Sequence, residues 1–334
     1  MRAKLDLIIP GLFDLPGDEL ETSFLQLELP ALNHILRFGR PRATEAYDLE
    51  SMLIQSMAWS GFRTLPFAQA HAGPESPDSN KLLLCKAVHL KTDMHNMIVV
   101  PIEDNQENRN DIIIIINDLE ELFKVDFDIQ EVQEGIWLMH VQQCTPARHY
   151  PHYLSVVGRK ADPFVEQSRQ ALPWYKLINE MQMFMHQHAI NQNRLESGLL
   201  PINSLWFWGA GELPKSGCKN MRWFCDDELL KQFASVMGIY WARLDEVKNY
   251  DFEYGSLVID LSILEALKLP GEVSLQALLS DLESRLFEPL VAGVRSNRMR
   301  LRLKTGSAND LILNRYSSIR RWKKAKSLLD YIND

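Results

Sequence analysis

Short, almost wholly apolar segments recur along this chain between stretches of helical periodicity, and that alternation constrains the fold more than any other feature. KLDLIIPGL (4–12) reads as a buried first strand ending in a Pro-Gly turn, and SLVIDLS (256–262) as another buried strand. Between and around them lie helical patterns. In ELPALNHILRFG (28–39), Leu29, Leu32, Ile35 and Leu36 share one face, with Pro30 at the start and Gly39 at the stop. Residues 48–62 read as a second helix capped by Asp48, and SLQALLSDLESRLFEPLVAGVRS as a long later one. MRLRLKT (299–305) and DLILNRY (310–316) form a closing hairpin that turns through Gly306 to Asn309. Buried strands alternating with helices point to an α/β architecture.

The middle of the chain has a different character. After the Pro/Gly/Ser-rich loop HAGPESPDSN (71–80), LLLCKAVHL (82–90) and NMIVVPIE (96–103) read as two strands. DIIIIINDLEELFK (111–124) has five isoleucines, which favour a strand by propensity. Yet Ile112, Ile115, Ile116, Leu119, Leu122 and Phe123 fall at helical spacing, and the segment is assigned as a helix. Residues 127–141 make a hairpin around Glu134-Gly135, so 81–142 is a ββαββ unit. The expected domains are an α/β core of residues 1–75 and 155–334 with an insert subdomain over 80–145. A helical stretch over 163–197, broken near Pro173, then leads to LPINSLWFWGAGELP (200–214), a strand entering a glycine loop.

The net charge of −8 over 334 residues argues against a nucleic-acid partner, because such proteins need positive surface to displace counterions. Basic residues do gather near the C-terminus, from Arg295 to Lys326, and read as a solvated face or a clamp on acidic loops. No run of about 18 apolar residues exists, so no membrane partner is expected. The N-terminal apolar run is too short for a secretion signal. Cys85, Cys144, Cys218 and Cys225 are scattered without a CxxC, which suits a reducing compartment. The expected location is cytoplasmic.

The most informative stretch is MHQHAINQNRLESGLLPINSLWFWGAGELP. His186 and His188 are two apart and point about 200° apart on a helix, so they cannot share a metal from it. Trp206 and Trp208 alternate on one face of the following strand, as core or interface aromatics do. Asn191, Arg194, Gly198, Pro201, Asn203, Gly209, Ala210, Gly211 and Pro214 follow a pattern that resembles a segment of the archaeal-type cofactor-independent phosphoglycerate mutases. LPALNHIL (29–36), KAVHLKTD (86–93), HQHAINQNR (186–194) and NSLWFWGAG (203–211) also resemble a group of proteobacterial proteins labelled as phosphoglycerate mutases. That resemblance implies a divergent alkaline-phosphatase-like α/β fold, a three-layer sandwich with a ββαββ insert.

It also implies two divalent metals held by Asp and His ligands and a phosphorylated serine, and here the chain departs from the family. Pro10-Gly11 stands where the family's first strand ends in Asp-Gly, and proline has no ligand atom. The last of the nine histidines is His188, and Trp208 takes the slot of an anion-holding arginine. The isolated acid/base candidates are His89, His186 and Asp14. The expectation is therefore a catalytically degenerate binding or regulatory protein, with no catalytic or metal-ligating residue and no cofactor. Its ligand-binding candidates are Asp14, His186, Asn191, Arg194, Asn203, Trp208, Gly209 and Gly211, and its partner a small anionic metabolite or another protein. The alternative is an active mutase or phosphatase with a rearranged metal site.

Overall fold

A computed structural model describes residues 3–16, 27–59, 61–76, 78–93, 96–146, 150–159, 169–214, 221–249, 255–269, 273–319, 324 and 327–332. Its strands in chain order are β1 (Ala3–Ile8), β2 (Arg40–Ala43), β3 (Leu82–Asp93), β4 (Asn96–Pro101), β5 (Phe127–Gln133), β6 (Ile136–Val141), β7 (Ser204–Trp208), β8 (Arg222–Phe224), β9 (Tyr240–Ala242), β10 (Ser256–Ile259), β11 (Met299–Lys304) and β12 (Asn309–Leu313). The chain forms two compact units. Residues 1–61, 216–267 and 272–334 make the first, and residues 62–215 and 268–271 the second.

The first unit is built on a seven-stranded sheet in the order β2-β12-β11-β1-β10-β8-β9. β11, β1, β10, β8 and β9 are mutually parallel, and β12 and β2 add an antiparallel edge. Side chains alternate across the sheet, so Leu5, Leu7, Val258, Phe224, Leu301 and Leu303 meet one layer of helices. That layer includes Pro30–Phe38, where Leu32, Ile35 and Leu36 are buried as their spacing predicts. It also holds Leu275–Leu282, a π-helical turn at Glu283–Phe287, and Glu288–Arg295. On the opposite face Trp223 stacks on Phe233 of the helix Glu228–Val236, with ring centroids 5.9 Å apart. The helix Leu49–Met57, capped by Asp48 as expected, brings Gln55 to Arg302 and Lys304 of β11. Among the basic C-terminal residues, Arg302 and Lys304 of β11 both pair with the buried Asp310 of the neighbouring strand β12 rather than with an acidic loop.

The second unit contains the ββαββ succession: β3, β4, the helix Gln106–Leu122, β5 and β6. The isoleucine run is helical, and Asn105 caps it by accepting from the Asn108 backbone N–H at 2.9 Å. Helical spacing outweighs strand propensity because Ile115, Ile116 and Leu119 are thereby buried on one face. This unit extends well beyond the insert expected over 80–145, because β7 joins its sheet by pairing with β3 from Leu84 to Val88. The helical stretch expected over 163–197 is two helices, Leu172–Gln187 and Ala189–Glu196, with Pro173 in the first turn rather than at a kink. The part of that expectation over 163–168 lies outside the described residues, as does Cys218; Cys85, Cys144 and Cys225 are free. Among the described residues no helix is long and apolar enough to cross a membrane.

Candidate functional site

In open parallel sheets, ligands bind outside the carboxyl ends of the strands. In the first unit β8 runs into Asp226-Asp227 and β10 into Asp260, and a cavity of about 170 Å³ opens beside them. Its polar lining is Asp226, Asp227, Asp260, Ser262, Glu265 and Arg285. Asp260 is 1% exposed and is fixed by its own backbone N–H, which donates to Ile8 O at 3.0 Å. Its Oδ1 accepts from the Ser262 backbone N–H at 3.0 Å and from the Ser262 hydroxyl, and its Oδ2 accepts from Arg285 at 2.9 Å. Burial pushes the Asp260 carboxyl up, while Ser262 and the Arg285 guanidinium oppose the shift. Burial also raises Asp227, which caps the helix Glu228–Val236 through Leu230 N–H at 2.7 Å. Glu265 is raised by burial and then by the charges of Asp227 and Asp260.

Arg285 is the hub of this arrangement. It sits in the π-helical turn, a rare geometry that re-aims a side chain within a helix. From there its guanidinium reaches Asp260 at 2.9 Å, Asp281 at 2.9 Å and Asp226 at 3.4 Å. A fixed cation thus occupies the space between carboxylates on two neighbouring strands. Among the described residues, the carboxylates of this pocket are paired with a guanidinium rather than gathered around a metal position. β1 ends in Pro10-Gly11, whose glycine donates to Thr305 O at 3.0 Å and holds φ +80°. Among the described residues, no three His, Cys, Asp or Glu side chains converge on a position that would hold a metal ion.

The residues singled out from the sequence are distributed otherwise. Asp14 is exposed in the first unit, and the remaining seven belong to the second. Asn191 is fully buried. Its amide donates to Met185 O at 2.7 Å and Ile202 O at 2.8 Å, and its oxygen accepts from Ile202 N–H at 2.8 Å. Arg194 donates to Leu200 O at 2.9 Å and Asn108 Oδ1 at 2.7 Å, and pairs with Asp111 at 2.6 Å. Asn203 imitates a strand partner, accepting from Leu90 N–H at 2.7 Å and donating to Leu90 O at 3.0 Å. His186 is exposed, and His188 caps the helix Ala189–Glu196 while meeting Asp118 at 2.9 Å. His89 contacts Pro201 O through Nδ1 at 2.9 Å. Trp208 is buried against His152 and Tyr153. Gly209 holds φ +76°, and a Cβ there would come within 3.1 Å of Phe67 Cβ, so this close backbone approach requires glycine. Gly211, at φ +137°, lies in a conformation that only glycine adopts readily.

Sequence reasoning passed over Asp226, Asp227, Asp260, Ser262, Glu265 and Arg285. One signal was available: WFCDD and VIDLS each place an acid where an apolar strand ends. Nothing in the sequence marks Arg285, whose placement depends on the π-helical turn.

No family model matches the chain. It is similar to the 2,3-bisphosphoglycerate-independent phosphoglycerate mutase of Methanosarcina mazei, at 33% identity over 73 residues, which is 22% of this chain and 17% of that protein. It is also similar to the probable enzyme of that name from Geobacter sulfurreducens, at 27% identity over 170 residues, 43% of this chain and 41% of that protein. The matches thus span less than half the length of these relatives. Among solved structures, a protein from Pyrococcus horikoshii superposes with TM-score 0.50 at 14% identity, covering 93% of this chain and 87% of that one. The cofactor-independent phosphoglycerate mutase of Thermoplasma acidophilum gives TM-score 0.43, also at 14% identity, covering 94% and 90%. The superposition on the Pyrococcus horikoshii protein shows a shared α/β fold, and parts of the chain are similar in sequence to phosphoglycerate mutases.

Proposed function

We propose that this chain is a phosphoglycerate mutase-like protein that binds a ligand at the carboxyl edge of its parallel sheet and does not perform metal-dependent phosphoryl transfer. The observation that carries the reading is Arg285, held among Asp226, Asp260 and Asp281. Carboxylates spent on a guanidinium are poor ligands for a divalent cation, since the metal would have to displace a fixed charge of the same sign. Pro10 at the end of β1 and the lack of any histidine after His188 support the same reading.

The pocket sets four carboxyl groups against one guanidinium, so a free phosphorylated anion meets net repulsion there. A hydroxyl-bearing ligand fits better, because carboxylates accept from hydroxyls and Arg285 donates. The test is a mutase and phosphatase assay with phosphoglycerate and added manganese, with and without chelator. We expect no turnover in either arm. Manganese-stimulated turnover that chelator abolishes would overturn the proposal and favour a rearranged active site around Ser262, whose hydroxyl already contacts Asp260.

A further inference from the structure

The strand motif NSLWFWGAG takes no part in the acidic pocket of the first unit. In the second unit its residues Ser204 to Phe207 form one wall of a separate cavity of about 300 Å³. The facing wall is the helix Leu172–Gln187. Tyr175, Ile178, Asn179 and Gln182 line the cavity at spacings of three, four and seven residues, which places them on one face of that helix.

The walls are held in place. Trp206 donates its indole N–H to Pro151 O at 3.1 Å, and Tyr150 meets its ring edge-on at 5.6 Å. Tyr150 in turn accepts from Trp174 Nε1 at 3.1 Å, and Trp174 packs edge-on against Phe207 at 4.9 Å. Leu90, also in the lining, is pinned through its backbone by Asn203. Rings fixed in this way form a binding surface without further ordering cost.

We propose that this cavity is a binding site for a small, uncharged, flat aromatic molecule carrying one hydroxyl or N–H group. Among the described residues no Asp, Glu, Lys, Arg or His lines it, so a charged ligand would lose its hydration without compensation from them. An apolar cavity of about 150 Å³ admits one benzene ring, so twice that volume suits two fused rings. The polar group is placed by Gln182, whose amide N–H donates to Ser204 Oγ at 2.9 Å and leaves its carbonyl oxygen as the acceptor. The proposal is independent of the reading of the acidic pocket.

The probe is 2-naphthol, titrated into the full chain by calorimetry, with naphthalene and 2-naphthoate in parallel. We expect one saturable 2-naphthol per chain with a negative heat-capacity change, and no binding of the charged 2-naphthoate. Ile178→Trp fills the cavity and should weaken 2-naphthol at least about tenfold. Gln182→Leu should weaken 2-naphthol several-fold and leave naphthalene unchanged. Thermal melts check that each variant folds, and Asn179→Trp, at an exposed position, serves as a second filling variant. Non-saturable binding, equal binding to a folded filling variant, or a preference for the naphthoate would overturn the proposal.

Discussion

The two units use polar side chains in opposite ways. At the carboxyl edge of the first sheet, Asp226, Asp260 and Arg285 satisfy one another around an open cavity. In the second unit, Asn191 and Asn203 end on backbone groups, and Arg194 ends on Leu200 O, Asn108 and Asp111. The first arrangement leaves lone pairs and a guanidinium facing a space that a ligand can enter. The second spends its hydrogen bonds on holding loops to helices and strands. A conspicuous sequence motif is therefore a poor guide to a site when its polar residues all have backbone partners.

The sharpest way to break this contrast is Arg194→Ala. If Arg194 is an anchor, removing it strands Asp111 and Leu200 O and should cost about 3–5 kcal/mol in urea-induced unfolding. A cost under about 0.5 kcal/mol, the usual range for a surface residue, would move Arg194 to the ligand-facing class.

A second effect sets the units against each other through pH. His152 is buried and its imidazole is lowered to about 4, because burial disfavours the charged ring. In the folded state it is neutral, so its stabilising contribution is present above its ordinary value near 6.5 and is lost as pH falls towards 4. The loss is about 3 kcal/mol across that window. Asp227, Asp260 and Glu265 in the first unit are shifted upwards, so their contribution runs the other way and is lost as pH rises through their raised values. His152→Asn keeps a helix-capping acceptor for Leu154 N–H and removes the titration. Chemical denaturation from pH 4 to 7 should show a flatter acid limb for this variant, and an unchanged slope would refute the assignment.

How much of this was legible beforehand follows from the physics of each residue. The helix Pro30–Phe38 could be read because its starting proline, its glycine stop and its apolar face are local. The isoleucine helix could be read because periodicity reports burial better than propensity does. The roles of Asn191 and Asn203 were open, since an amide that holds backbone and one that holds a ligand look alike in sequence. The acidic pocket was out of reach for a different reason. Asp226 and Asp260 are 34 residues apart in sequence, and only the parallel pairing of β8 with β10 brings them together. The boundary of the second unit was misplaced because β7 pairs with β3 across more than 110 residues, and such a pairing leaves no local mark.

Asn203→Leu tests the second unit more gently. It removes the two bonds to Leu90 while roughly keeping volume, and should cost about 2 kcal/mol in unfolding. If the cavity beside β7 depends on Leu90 being pinned, the same variant should also weaken 2-naphthol.

The smallest expected effect is also the most discriminating for the first unit. Arg285→Gln removes the guanidinium that opposes the upward shift of Asp260. At neutral pH, Asp260 would then be a buried carboxylate supported only by Ser262, at a cost of about 1 kcal/mol once solvent access to Arg285 is allowed for. Protonation of Asp260, favoured by its upward shift, removes the charge that Arg285 balances there, so the deficit should shrink as pH falls. A deficit independent of pH would mean that Arg285 acts through packing of the π-helical turn and not through charge. In that case the carboxylates of the pocket would not be committed to it, and the argument against a metal centre would rest on Pro10 and the missing histidines alone.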